Sequence, residues 1–290
     1  MLKAWIQLIR PSNVLTAISD VLAGVALACL FLQSELPETE SLIWITLSSM
    51  LLYTGGIVFN DVFDAALDKI ERPERPIPSG KVKQSSAAIL GTIAFSIGCF
   101  LAYQVNMTAF YIALAIVLMC LLYNGKAKHH FIAGPIVMGS CRGLNLLLGM
   151  AVLPDSLSYF YLAIVPIIYI AAVTNISRGE VYGNNKTAIL VSMGLYALVI
   201  LTLIYFAFVS KNYLAFIFIL FFTVMIASPL FKALKSLEPQ DVRKSVKFGV
   251  LALILMNASW IAISGYWVLA LAICAILPVS IFLAKKFAVT

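Results

Sequence analysis

A chain of 290 residues with 62% hydrophobic and only 11% charged side chains, at a mean hydropathy of +1.00, has more apolar surface than a soluble domain of this size buries. This excludes a soluble globular protein and points to a polytopic membrane protein. The net charge of +7 is read as basic loops at a membrane surface rather than as a nucleic-acid interface, so no nucleic-acid partner is expected.

The first long apolar run, residues 14–32, follows Arg10-Pro11 and lacks a small-residue cleavage site. It is read as a retained helix rather than a signal peptide. Further spans are predicted at roughly 41–61, 86–105, 109–123, 132–153, 159–176, 188–208, 214–231, 248–264 and 267–284. Gly265 could join the last two into one broken helix. The expected fold is therefore an all-α polytopic membrane protein, a bundle of nine to ten transmembrane helices forming one domain over residues 1–290.

Basic residues set the orientation. With the N-terminus in the cytoplasm, every Lys and Arg lies on the cytoplasmic side except Lys211, outside, and Arg142, within a span. The same arrangement favours ten spans, because Lys285-Lys286 then ends inside. The longest polar stretches, 62–85 and 232–247, are both cytoplasmic, and chemistry is expected on that face. The five cysteines lie in apolar runs without a Cys-x-x-Cys pair and read as small core hydrophobes.

The most informative stretch is Asn60-Asp61-Val62-Phe63-Asp64-Ala65-Ala66-Leu67-Asp68, followed by Glu71-Arg72-Pro73-Glu74-Arg75-Pro76-Ile77-Pro78-Ser79-Gly80. Asn60, Asp64 and Asp68 are spaced by four, so a helix places them on one face. A row of carboxylates repels itself unless a cation sits among them. Mg²⁺ takes hard oxygen ligands and shares them with substrate phosphates. Asp61, Asp64 and Asp68 are candidate metal ligands, with Asn60 positioning or ligating through its amide oxygen. Arg72 and Arg75 suit bidentate contact with phosphate oxygens. Acids at a helix C-terminus oppose the macrodipole, so stability alone does not favour them there.

This pattern resembles the first Asp-rich motif of the UbiA superfamily of intramembrane prenyltransferases, N-D-x-x-D-x-x-x-D followed by R-P-x-x-S-G. Arg10-Pro11-Ser12-Asn13 resembles the R-P-x-N that opens the family's first helix. Tyr123-Asn124-Gly125-Lys126 resembles the Tyr/Lys segment that ends its fourth. The resemblance implies a helical bundle around a central cavity. It implies Mg²⁺-dependent transfer of a polyprenyl group from a diphosphate to an acceptor that the sequence does not identify. Asp64, Asp68 and Lys126 are then the catalytic candidates, and Arg72, Arg75, Lys126 and Arg178 the diphosphate-binding ones. Asn60, Asp61, Asp64, Asp68, Glu180 and Asn184 become the metal set.

The family's second motif, D-x-x-x-D, is degenerate here. Glu180 stands for its first acid and Asn184 for its second within Ser177-Arg178-Gly179-Glu180-Val181-Tyr182-Gly183-Asn184. An amide is a neutral and weaker Mg²⁺ ligand. Polar residues inside spans mark function or structural pairing. Asp20 in the first span and Arg142 and Asn145 in the fifth could pair or line the cavity, as could Asn13 and Tyr123. Gly139-x-x-x-Gly143 suggests close helix packing. The degenerate motif and the Cys141-Arg142-Gly143-Leu144-Asn145 segment resemble the UbiA-like EboC branch of bacterial Ebo gene clusters. The alternative function is a weakened or inactive relative that binds or moves a lipid or metabolite precursor for export. The expected location is the bacterial inner membrane.

Overall fold

Proline and asparagine set several helix boundaries in the computed structural model, which describes residues 2–128, 130–177, 183 and 185–287. Helix α1 (Leu2–Ile9) and α2 (Pro11–Leu32) are separated only by Arg10, whose backbone is left-handed at φ 50°, and Pro11 opens α2. Helix α3 (Thr39–Phe63) passes through Asp64 into the short α4 (Ala65–Glu71). Asn106 joins α5 (Gln84–Val105) to α6 (Met107–Leu122), its side chain accepting from the Ala109 N–H at 2.8 Å. A π-helical turn, Tyr123–Ala127, follows α6. Helix α7 (Ala133–Met150) comes next, then a 3-10 helix (Pro154–Ala163) that runs into α8 (Ile164–Ser177). Asn185 caps α9 (Lys186–Val209) through the Ala188 N–H at 3.0 Å. Helices α10 (Ala215–Ser236), α11 (Pro239–Ile263) and α12 (Trp267–Phe287) complete the chain, and no strand occurs among the described residues.

Among the described residues, nine helical segments are long and apolar enough to cross a membrane, as a multi-pass integral membrane protein requires. Helix α7 is the tenth member of the bundle. It falls outside the nine because Arg142 and Asn145 make it less apolar, and both are buried inside the bundle. Gly265, at φ 91°, turns the chain between α11 and α12, so these are two helices and not one broken one. The polar stretch 232–247 is itself mostly helical. Relative to the predicted spans, α10 continues more than one turn further and α11 starts more than two turns earlier. Asp241 anchors this extension, bonded by the Ser236 hydroxyl at 2.9 Å and facing Lys232 at 3.2 Å.

Burial separates inner from outer helices. The apolar windows of α2 and α11 are 72% and 78% buried, against 17% for α6 and α12, so α2 and α11 form the axis and the others meet lipid. Helix α2 packs on α3, α7, α11 and α12. Gly139 and Gly143 press against the backbone of Ile167 and Ala163, the close packing that their spacing suggested. A tighter approach joins α2 to α7. A Cβ at Gly24 would collide with the Leu146 carbonyl, and one at Gly149 with the Val21 carbonyl. Neither neighbour is a flexible side-chain end, so α7 would have to move. Gly149→Ala is expected to cost about 3 kcal/mol, seen as a lowered thermal midpoint and poor recovery of monodisperse protein in detergent.

Candidate functional site at the α3–α4 junction

The α3 helix ends at Phe63, yet its hydrogen-bond register does not break. The Asp64 N–H donates to the Asn60 carbonyl at 3.0 Å, Asp68 to Asp64 at 2.8 Å and Arg72 to Asp68 at 2.9 Å. Asn60, Asp64, Asp68 and Arg72 therefore stay on one face and all line a cavity of about 400 Å³. Elements α2, α3, α4, α6, the π-turn and α7 build its described walls. Ser49, Tyr53, Gly56 and Asn60 continue the stripe up α3, so Tyr53 sits about 10 Å from Asn60 along the helix.

The cations that balance the acidic row are the chain's own. Lys128 pairs with Asp64, Arg10 with Asp61, and Arg75 reaches Asp68 at 2.6 Å and Asp61 at 3.6 Å. Arg75 is held there by the proline turn after α4. Ile77 and Val82 are buried with Leu8, Val58 and Ala65, pinning the turn to the bundle. Gly80, at φ 73°, lets the chain reverse towards α5. Asp61 points behind the row at Arg10 and is absent from the cavity lining, which corrects its expected place beside the other acids. One residue after Asn60 on a helix is rotated by about 100° from it.

Lys126 is a second correction. It is exposed and outside the lining, whereas Lys128 is in it. An α-helix would put Lys126 on the face of Tyr123. The π-turn instead bonds the Lys128 N–H to the Tyr123 carbonyl at 2.9 Å, five residues back, and brings Tyr123, Asn124 and Lys128 to the cavity. Asn124 accepts from the Asn60 amide at 3.0 Å and so fixes that side chain. A single wide turn leaves little trace in a sequence. Lys128 therefore counted there only as a topological charge, and Arg10 only as a topological charge and the first residue of the R-P-x-N resemblance.

The deep end of the cavity is a neutralised polar network. Arg142 donates to Asp20 at 2.5 Å, to Thr16 at 2.8 Å and to the Tyr53 hydroxyl at 2.9 Å, and its guanidinium lies over the Tyr53 ring. Asp20 also accepts from Asn145 at 3.2 Å and from Asn257 at 2.6 Å. Ser49 closes the group by donating to Asn145 at 2.8 Å. Asn13, Tyr123, Arg142 and Asn145 line the cavity, while Asp20 is buried behind Arg142. Asn257 and Tyr53 escaped the sequence reading because neither stands in a motif. Arg178, Glu180 and Asn184 lie outside the described residues.

The family model described as "UbiA prenyltransferase family" matches residues 21–254. The chain belongs to the UbiA prenyltransferase family.

Three solved structures share the UbiA fold. A digeranylgeranylglyceryl phosphate synthase structure superposes with a TM-score of 0.66 at 22% identity, covering 91% of this chain and 98% of the other. A UbiA homologue from Aeropyrum pernix K1 gives 0.69 at 15% identity, over 85% and 96%. One from Archaeoglobus fulgidus, bound to GPP and Mg²⁺, gives 0.63 at 15% identity, over 90% and 99%. Among curated relatives, digeranylgeranylglyceryl phosphate synthases from Methanothrix thermoacetophila and Sulfurisphaera tokodaii are each 32% identical, over 157 and 168 residues. Those matches cover 53% and 58% of this chain, and 57% and 59% of the relatives, so the chain spans little more than half the length of the curated relatives it matches.

The donors of the UbiA site decide whether it suits Mg²⁺. Among the described residues no three His, Cys, Asp or Glu side chains converge as a ready-made metal cage. Mg²⁺ does not need one, since it is held by one or two carboxylates while phosphates and water supply the rest. Asn60, Asp64 and Asp68 offer hard oxygens to one shared cavity, with cations nearby for an anion. That donor set fits Mg²⁺ carried with a diphosphate.

Proposed function

We propose that this protein transfers a polyprenyl group from an allylic diphosphate to an acceptor, with Mg²⁺, at a site open to the cytoplasmic side of a bacterial inner membrane. The observation that carries this reading is the Asn60–Asp64–Asp68–Arg72 register lining one cavity with Arg75 and Lys128 beside it. Mg²⁺ would be held by Asn60, Asp64 and Asp68, and would supply charge neutralisation for the departing pyrophosphate. Arg72, Arg75 and Lys128 bind the diphosphate oxygens, with Lys128 in the role first expected of Lys126. As the resemblance implies, Arg178 would add diphosphate affinity, and Glu180 and Asn184 a second, weaker metal site.

The chemistry follows from charge placement. The C1–oxygen bond of the allylic diphosphate breaks, pyrophosphate leaves with the bonding electrons, and the acceptor bonds to C1 and sheds its proton. Fixed cations at Arg72, Arg75 and Lys128 favour the leaving anion. Leu52, Ile57 and Ile116 give the cavity an apolar middle that keeps water from the allylic cation. The polar group of the acceptor is received at the deep end by Tyr53, Arg142 and Asn145. The names of the curated relatives support a long isoprenoid donor.

The test is pyrophosphate release in lipid nanodiscs with Mg²⁺ and geranylgeranyl or farnesyl diphosphate, using a membrane extract as acceptor source. Release confirms transfer. Mg²⁺-dependent binding without release would turn the reading towards a carrier. Two lysine variants check the geometry. Lys128→Gln is expected to weaken diphosphate binding about tenfold or more, the scale of one charge-assisted hydrogen bond. Lys126→Gln is expected to leave binding essentially unchanged.

A further inference from the structure

The mid-wall of the cavity holds sulfur, and neither the transfer reaction nor the acidic register uses it. Cys120 on α6 and Cys141 on α7 face each other with their Sγ atoms 3.9 Å apart, and both line the cavity. Met138 lines it too and lies three residues before Cys141, on the same face of α7. Its Sδ accepts a long contact of 3.8 Å from the Thr174 hydroxyl on α8, so its side chain must turn from there to reach the two thiols. Both cysteines are free thiols.

The spacing discriminates between two fates. A disulfide needs the sulfurs at about 2.05 Å, so the 3.9 Å gap would have to shrink by nearly half and draw α6 and α7 together. A bridging ion leaves that gap, and so the two helices, where they are, and asks only that the Met138 side chain turn. With metal–sulfur bonds of about 2.3 Å, a 3.9 Å separation subtends an angle of about 115° at the metal. That lies between tetrahedral and trigonal geometry. Two thiolates and a thioether form a soft donor set, which selects Cu⁺ over hard ions such as Mg²⁺.

We propose that Cys120, Cys141 and Met138 form a three-sulfur site for Cu⁺ in the wall of the cavity. Binding releases the two thiol protons to water and leaves the copper as Cu⁺, so no oxidant or reductant is consumed. The site is separate in chemistry from the oxygen-rich acidic row. Cys120 lies one turn from Asn124, the partner of Asn60, and Cys141 is next to Arg142. An ion there stands between the two polar ends of the cavity and obstructs a substrate that spans them.

The test is anaerobic titration of the purified protein with Cu⁺ against a chromogenic Cu⁺ chelator, followed by X-ray absorption at the copper edge. The expected result is one retained Cu⁺ per chain, with sulfur-only coordination at about 2.3 Å. Retention is expected to vanish in Cys120→Ser and in Cys141→Ser. It is expected to weaken at least about tenfold in Met138→Leu, the scale on which a lost contact at a metal site acts. Cys274→Ser, remote from the cavity, should retain the ion. Equal retention in wild type and the Cys120→Ser/Cys141→Ser double variant would overturn the site. So would nitrogen or oxygen ligands in the wild-type spectrum, a readout that depends on no variant. Unaltered affinity in Met138→Leu would overturn the three-sulfur assignment. None of these readouts depends on prenyl transfer.

Discussion

Asp64→Asn is expected to cut Mg²⁺-dependent pyrophosphate release about a hundredfold or more, the scale on which one aimed electrostatic group acts at a reacting centre. Asp64 occupies the middle of the register, where the backbone carries the four-residue spacing from α3 into α4. The amide keeps the side-chain shape and loses the charge. It also leaves Lys128 without its counter-ion, so a diphosphate could still associate without turning over. Binding and release should therefore be measured together, by diphosphate titration with and without Mg²⁺. Release at the wild-type rate would remove Asp64 from the chemistry. The thermal midpoint should fall less than for Asp20→Asn, because the Lys128 side chain is 23% exposed and can turn its ammonium to solvent.

The second large effect is on stability. Asp20→Asn is expected to cost about 3–5 kcal/mol, since it leaves the buried Arg142 guanidinium without a counter-charge. Asp20 is bonded from α7 through Arg142 and Asn145 and from α11 through Asn257, so three helices of the bundle meet on one carboxylate. Arg142→Met should also destabilise. The Asp20→Leu/Arg142→Met double variant should cost at least about 1 kcal/mol less than the sum of its single variants, because it leaves no orphaned charge. Denaturant unfolding in detergent micelles measures all of these. Additive losses would mean that the ion pair is not coupled.

Much of this was legible in the residues. Spans are long apolar runs, and the bilayer imposes their length, so each of the ten predicted spans falls on a helix of the bundle, while the short α1 and α4 were not among them. The errors fall where polar helix continues beyond the apolar run, as at Lys232–Ser236 and Pro239–Lys247. The spacing of Asn60, Asp64 and Asp68 foretold their common face because helix geometry is periodic. The direction of Asp61 and the exchange of Lys126 for Lys128 were hidden. One depends on what stands behind the helix, the other on a single turn of altered pitch. The Asp20–Arg142 pair was foreseeable as two polar groups inside spans. Its partners Tyr53 and Asn257 were not, because contacts between distant helices leave no local pattern.

The internal pairing of the acidic row changes what loading the site means. Lys128 and Arg75 are tethered to the chain, so each competes for its carboxylate at a high effective concentration. On the proposed function, magnesium arriving alone would have to evict a resident cation and strand it. A diphosphate arriving alone brings anionic oxygens next to carboxylates. If the two came together, the lysine and arginine would pass to the phosphates and the carboxylates would be free to hold the dication, so that every charge would leave one partner for another. Donor and metal should thus load as one unit, and metal depletion is expected to leave the fold intact, because the chain's own side chains keep the acidic row neutral.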